Sequence, residues 1–482
     1  MVSQAEWSRV IGDYVHQKHS PGSDKYWDPK IETMPRRQLE EARDKKFRTM
    51  VSYLYDNSPY YHRKFDQLKL KPDDFRTTRD VVKGPLTVKQ DFAINQQENP
   101  PFGDFECITM DAWRKDGFMI ESTGGTTAKP RIFMVSGADR DVWSYLYARA
   151  LWAFGIRPGD IMFNATVYGP FPGMWGSHYG ANLLHIPVVP GGGMDSRRRL
   201  FFMKESKATV LVAVPSYAIH LAEEARSEGI DPAKDTNIDH VVMMAEPGAC
   251  VPATKKRIED DWSAVTHDYF GHTEAFTGGA LGFSCAEEDA HHDRPVNDHL
   301  SEDMAIIEVV DPSTYEPVEK GEKGITVVTN LMSVSYPAFR YVMGDLMVYT
   351  DEPCECGRTF GRAVGGLLGR VDDMLKVRGT VVYPSAVEDV VRSFKELGNE
   401  YEIVLSKAGD LDEMLVRVEI VSPMQSLQRA ELSKKLVEEL TLSLGLRSSI
   451  ELLEPGALKR FTRGDLDAKA RRVRDLRGKA VS

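Results

Sequence analysis

The stretch ESTGGTTAKPRIF, residues 121–133, sets two glycines, three threonines and a lysine between apolar residues. Gly124 and Gly125 let several backbone N–H groups converge on one anion. Thr123, Thr126 and Thr127 add hydroxyl donors, and Lys129 brings a mobile point charge. The chemistry this offers is that of a phosphate cradle; the alternative is a glycine-rich β-turn with solvated hydroxyls. It is not a Walker A loop, because GGTTAKP lacks the GxxxxGK[ST] spacing and Pro130 prevents a helix from starting in the usual way after the lysine. A second group has ligand chemistry. Cys354 and Cys356 in EPCECGR form a C-x-C knuckle, and Cys285 is followed by His291 and His292 in CAEEDAHH. Three thiolates and one imidazole, with His292 as fourth ligand, make a closed tetrahedral set for a structural Zn2+; paired surface thiols in a turn are the alternative. Cys107 and Cys250 have no evident partner and read as packing residues.

These residues need a scaffold, and 482 residues exceed what one hydrophobic core usually supports, so two or more domains are expected. With 42% hydrophobic and 28% charged residues the chain reads as an ordinary globular protein. A net charge of −11 gives no long-range attraction to nucleic acid or anionic lipid, so anionic ligands must be held by local basic groups. No apolar run approaches the ~20 residues of a membrane helix, and MVSQAEWSRV lacks the pattern of a signal peptide. Five cysteines form no dense framework. The cytoplasm is the expected compartment, and neither nucleic acid nor membrane is an expected partner.

Residues 1–95 read as a helical lead-in, with MPRRQLEEARDKKFRTMVSYLYDNSPYYHRKF spacing its apolar positions three and four apart and ending at NSP. From about 105 to 350, short β-branched runs alternate with helical stretches: IMFNATV, ATVLVAV, HVVMMA, AIIEVV and GITVVTNL. The expected class is α/β, with sheets flanked by helices. Beyond residue 370 the texture becomes a small α+β unit, with strands in YEIVLSKA and EMLVRVEIV and a helix in SLQRAELSKKLVEELTLSLG. The boundary falls near Gly369 to Asp373, dividing the chain into 1–371 and 372–482. The final 28 residues carry nine Lys and Arg against three Asp, a basic tail on an acidic chain.

Three further motifs follow the loop in order: YFGHTEA at 269–275, SYPAFRYVMGDL at 335–346 and GRVDDMLKVRGTVVYPSAVE at 369–388. Together the four resemble the core motifs of the acyl-adenylate-forming superfamily of acyl-CoA synthetases, luciferases and adenylation domains. The wording of GRVDDMLKVRG, AEPG, VPSYAIHLAE and the helical lead-in is similar to its phenylacetate–CoA ligase branch.

The resemblance implies an ATP-dependent acid–thiol ligase that forms an acyl-AMP, releases pyrophosphate and passes the acyl group to CoA. Such an enzyme must hold triphosphate and neutralise the departing pyrophosphate. It implies that Thr123–Lys129 hold the β- and γ-phosphates and that Phe270, or in its place Tyr269, stacks on adenine. Thr273 contacts the α-phosphate and Glu274 holds Mg2+. Ala245, Glu246 and Pro247 line the adenine, Asp345 accepts from both ribose hydroxyls, and Arg370 reaches ribose or phosphate. Asp372 matches the hinge about which a mobile C-terminal domain rotates between two half-reactions. DAKARRVRDLR resembles the closing GKxxR segment, which makes Lys469 the catalytic lysine with Lys459 as rival. Pantetheine is expected along KVRGTVVYP, where Gly379 permits close approach.

For the acid, the stretch VYGPFPGMWGSHYGANLLHIP carries Met174 and Trp175 where relatives accepting aryl acids carry small residues. Large side chains there shrink an acyl pocket, while Asn164, Tyr168 and His178, near Gly169, offer polar contacts suited to a hydroxylated acid. A small, branched 2-hydroxy acid such as 2-hydroxyisobutyrate is expected. The alternatives are an aryl acid of the phenylacetate type, transfer to a separate carrier protein, and a non-catalytic nucleotide-binding relative, the last suggested by Ala128 and Ala468 in place of glycines. A homodimer is the oligomeric expectation.

Overall fold

The computed structural model describes residues 1–13, 22–123, 130–246, 248, 250–292, 294–408, 411–458 and 471–477. Its centre is a twelve-stranded sheet with a parallel and an antiparallel half. In the parallel half, Met162–Asn164 lies between Val188–Pro190 and Val210–Ala213, followed outward by His240–Met243 and Val265–Phe270. Val210–Ala213 is buried at every residue, as expected of strands covered on both faces by helices. The antiparallel half runs through Gly282–Phe283, Asp298–Leu300, Arg362–Ala363, Tyr341–Thr350, Lys323–Asn330 and Ala305–Val310. Each β-branched run singled out in the sequence coincides with one of these strands to within a residue or contains it. No described helix is long and apolar enough to cross a membrane.

The helical lead-in forms as expected: Arg36–Asn57 and Pro59–Gln67 are helices, the second capped by Ser58, whose hydroxyl accepts from Tyr61 N. It is not a separate layer. Trp7 Nε1 donates to the Ser333 carbonyl at 2.7 Å and Tyr53 Oη to that of Val334 at 2.8 Å. The N-terminal aromatics therefore enter the same core as the sheet, and they brace the segment just before SYPAFRY. That segment is held from its other side by Asp139, which accepts from Ser333 Oγ at 3.1 Å and Val334 N at 2.6 Å.

The C-terminal part has its own core. Leu397–Ala408 and Leu411–Ile420 form a long antiparallel pair, extended by Ser449–Leu453 and, in parallel, by Val473–Asp475. The helices Pro384–Ser393 and Ser426–Leu444 accompany it, the second burying Leu432, Leu436, Leu440 and Leu444 at four-residue spacing. It touches the main body where Asp389 accepts from Ala253 N at 3.3 Å and Asn399 donates to the Ser216 carbonyl at 3.5 Å.

Candidate active site

In an open parallel sheet, ligands gather beyond the carboxyl ends of the strands. The expected residues fall there: Asn164 to Tyr168 after the first strand, Glu246 after His240–Met243, and Phe270 to Glu274 after Val265–Phe270. The strands that flank the glycine-rich segment pair with each other, Gly117–Ser122 with Ile132–Ser136, which places Ser122 opposite Ile132. Thr123 N donates to the Arg131 carbonyl at 3.0 Å, and Arg131 N donates to Thr123 Oγ1 at 3.3 Å. Gly124, Gly125, Thr126, Thr127 and Lys129 themselves lie outside the described residues.

The end of this strand pair meets the HTE motif through one ion pair. Arg131 Nη2 donates to Glu274 Oε1 at 2.6 Å and Nε to the same oxygen at 3.2 Å, with side chains only 4% and 7% exposed. His272 Nδ1 stands 3.4 Å from Glu274 Oε2. Burial works against the Glu274 charge, but His272 and Arg131 outweigh it and hold the carboxyl below its ordinary range. Burial also holds His272 below the usual imidazole value despite its acidic neighbours Glu274 and Asp345. Tyr336, from SYPAF, donates to the Thr273 carbonyl at 3.1 Å and to Glu121 at 3.3 Å. Burial lifts Glu121 well above the carboxylate range.

Asp345 and Arg370 face each other across paired strands. Arg370 Nη1 lies 3.1 Å from both Asp345 oxygens, and Nη2 donates to the Met343 carbonyl at 3.1 Å. Burial lifts Asp345 above its ordinary range, and Arg370 offsets only part of this. Arg370 also approaches Asp372 at 3.6 Å, and the Asp372 side chain is 71% exposed. Beyond it, Leu375–Val377 and Thr380–Val382 form a tight hairpin whose two central residues, Arg378 and Gly379, have φ of +51° and +79°. Gly379 is thus demanded by the turn itself.

Several of the expected residues bond within the protein. Tyr269 donates to the Gly173 carbonyl at 3.4 Å and contacts Met244 Sδ at 2.9 Å. Successive strand residues point to opposite faces, so only one of Tyr269 and Phe270 can serve the nucleotide. Asn164 is fully buried with its amide saturated: Nδ2 donates to the Met174 carbonyl and Ser177, and Oδ1 accepts from Thr166 N and Oγ1. It braces the start of the helix Pro172–Leu183. Ala245 adopts φ of +67°, and Glu246 accepts from Ser216 N and Oγ, both at 3.1 Å, at the start of the helix Pro215–Ser227. The Glu246 carboxylate therefore fixes the turn; Pro247 lies outside the described residues. Lys469 and its rival Lys459 also lie outside them.

On the acyl side, Trp175 Nε1 donates to the Gly169 carbonyl at 2.9 Å, and its ring meets Tyr168 edge-on with centroids 4.9 Å apart. Tyr168 Oη lies 3.1 Å from His178 Nδ1. Burial pushes Tyr168 up to about 12 and His178 below its ordinary value, so both are neutral near pH 7. Met174 contacts Thr166 through its sulfur.

The cysteine group converges with one substitution of ligand. Cys285, Cys354 and Cys356 are buried and share a cluster with His299, all four ligand atoms lying within 4.8 Å of one another. Cys285 Sγ is 3.9 Å from Cys354 Sγ, and Cys356 Sγ is 3.2 Å from His299 Nε2. His292 is not part of it: its side chain is 63% exposed and bonds Glu259 at 2.8 Å. Nearness in sequence to Cys285 favoured His292, whereas strand pairing sets Phe283 opposite His299 and carries that imidazole inward. Arg131 and His272 were both within quoted motifs yet had no role; Arg131 follows Lys129 by two residues, and its charge beside a phosphate loop was the available signal.

Comparison with known proteins agrees with this geometry. Residues 379–477 match the AMP-binding enzyme C-terminal domain. A phenylacetate–coenzyme A ligase of Thermus thermophilus is 34% identical over 466 residues, covering 94% of this chain and 99% of its own. That of Escherichia coli is 30% identical over 453 residues, covering 93% and 97%. A 2-hydroxyisobutyryl-CoA ligase in its postadenylation state, with a bound acyl-AMP, superposes with TM-score 0.86 at 30% identity over 95% of this chain and 94% of that one. The same ligase with acyl-AMP and CoA in its thioesterification state gives 0.70 at 31% identity, over 96% and 95%. Fold and site define an adenylate-forming enzyme, an acyl-CoA synthetase that adenylates a carboxylic acid and transfers the acyl group to CoA. Within that class, the chain belongs to the phenylacetate–coenzyme A ligase family.

Proposed function

We propose that the acid is a small, branched 2-hydroxy acid of the 2-hydroxyisobutyrate type. The observation that carries this reading is the neutral Tyr168–His178 pair beside a Trp175 pinned to Gly169: bulk where an aryl ring would sit, and a hydrogen-bonding pair where a hydroxyl would. A phenylacetate-type acid is the second reading, favoured by the curated relatives. Steady-state rates with 2-hydroxyisobutyrate, isobutyrate and phenylacetate test it. The expected order places the hydroxy acid first and isobutyrate at least tenfold below it; phenylacetate first would refute it.

In this reading Thr123–Lys129 hold the β- and γ-phosphates, Thr273 meets the α-phosphate, Phe270 the adenine, and Asp345 with Arg370 the ribose. Glu274 would hold Mg2+, which supplies charge neutralisation at the phosphates. One buried carboxylate, completed by phosphate oxygens, fits that ion, and Arg131 would then contribute a second positive charge beside it. Lys469 is the lysine that stabilises charge at the carboxylate–phosphate centre. Residues 372–482 form the mobile unit, rotating at Asp372; the better superposition on a postadenylation state than on a thioesterification state supports a small domain standing nearer the former orientation. Cys285, Cys354, Cys356 and His299 would hold a structural Zn2+. Three thiolates and one imidazole leave no open position, and Arg358 N already donates to Cys356 Sγ at 3.3 Å. The knuckle also takes the Tyr26 hydroxyl on the Cys356 carbonyl at 2.7 Å, and so ties residues 22–36 to the sheet.

A further inference from the structure

A second cluster lies one residue before Tyr269 and belongs to neither the catalytic constellation nor the zinc knuckle. Cys250, Asp268 and Asp298 each offer a ligand atom, and the three atoms lie within 4.8 Å of one another. Cys250 Sγ is 3.5 Å from Asp268 Oδ2. Asp298 is fully buried, and among the described residues its carboxylate oxygens meet no N–H or hydroxyl donor; its partner is the Asp268 carboxyl, with which it can share a proton. A buried carboxylate without donors is costly unless protonated or bound to a cation. Lys255, whose charge is felt at Asp268, is spent on Glu259, Thr266 and the Asp289 carbonyl.

The backbone leaves room for this convergence. At Gly366, with φ of +66°, a Cβ would stand 2.1 Å from Cys250 Sγ and 3.0 Å from Asp298 Oδ2. Only glycine lets the thiol and the carboxylate meet over that turn.

We propose that Cys250, Asp268 and Asp298 form a second divalent-metal site, distinct from the Cys3His knuckle, for a borderline cation of the zinc class. One thiolate with two carboxylates suits such an ion better than Mg2+ or Ca2+, which disfavour sulfur. Binding exchanges two protons, one from the thiol and one shared by the carboxyls, for one M2+. The ion would tie the loop after Glu246 to the strand that ends in Phe270, bracing the adenine side of the site.

The test is metal content of the full-length protein reloaded with Zn2+ and desalted, by mass spectrometry of the elements. The expected result is two zinc ions per chain in the wild type, one in Cys250→Ser, one in Asp298→Asn and one in Cys354→Ser. In parallel, Zn2+ slows iodoacetamide alkylation of Cys250 in the wild type, followed by peptide mass spectrometry, which needs no variant to fold. Equal zinc in the wild type, Cys250→Ser and Asp298→Asn, with Cys250 alkylated at the same rate with and without Zn2+, overturns the proposal and leaves two acids sharing a proton. Failure of the knuckle alone reads differently: one zinc in the wild type and none in Cys250→Ser.

Discussion

Removing the Trp175 ring should change both stability and choice of acid, by amounts the contacts allow to be worked out. Position 175 lies inside the helix Pro172–Leu183, where glycine costs about 1 kcal/mol more than alanine, so Trp175→Ala isolates the side chain. A fully buried Trp→Ala change costs roughly 3–5 kcal/mol. Trp175 is half-buried, which leaves about 2 kcal/mol, and losing its bond to the Gly169 carbonyl adds about 1 kcal/mol. The freed volume adjoins Tyr168 and His178, so an aryl acid gains contacts that the native pocket refuses. Pocket substitutions of this size shift discrimination by roughly 10–200-fold. The assay is kcat/KM for phenylacetate and for 2-hydroxyisobutyrate, with denaturant unfolding as the check on the fold. The phenylacetate to 2-hydroxyisobutyrate ratio should rise at least tenfold while the variant stays folded. A folded variant with an unchanged ratio would refute the claim that Trp175 bounds the acyl pocket.

Four further expectations concern other sites. His299→Ala should lose the knuckle metal and its thermal protection while His292→Ala keeps both, read by zinc content and Tm. Glu274→Gln should raise the Mg2+ concentration needed for half-maximal AMP release and cost about 3–5 kcal/mol of stability, since it strands the buried Arg131 charge. His240, partly buried and 2.9 Å from His267, is held down to about 4 chiefly by desolvation. Because the unfolded chain binds that proton below the ordinary imidazole value of about 6.5 and the folded chain does not until about 4, stability rises with pH across that window; the full gain of about 3 kcal/mol is present above it and lost below it. Urea unfolding at pH 7 and pH 4.5 should show the difference shrink in His240→Gln. Lys469→Ala should abolish acyl-AMP formation yet leave thioester formation from supplied acyl-AMP, and equal loss of both halves would contradict the role given to that lysine.

Much of the fold was legible because its signals are local. The strand runs YEIVLSKA and EMLVRVEIV became Leu397–Ala408 and Leu411–Ile420, and the helix after them starts and stops at the expected residues. The expectation of a phosphate loop rests on glycine and hydroxyl density at 123–129, which needs no tertiary contact to be noticed. What escaped is what strand pairing decides. His299 joins Cys285 only because Phe283 pairs with it, and sequence distance pointed to His292 instead. Asn164 and Glu246 have the right types and stand at the right strand ends, but their side chains are consumed by Met174, Ser177, Thr166 and Ser216. Arg131 was visible in the loop, yet its partner Glu274 lies 143 residues away, and no periodicity reports that distance.

The central claim is that a carboxylate oxygen attacks the α-phosphorus of ATP and that CoA then takes the acyl group. The direct measurement is incubation with 18O-labelled 2-hydroxyisobutyrate, ATP, Mg2+ and CoA, followed by mass spectrometry of the nucleotide and the thioester. The account predicts AMP carrying one 18O, unlabelled pyrophosphate, and one equivalent of acyl-CoA that retains the other. Unlabelled AMP, or ADP with the label in inorganic phosphate, would contradict it.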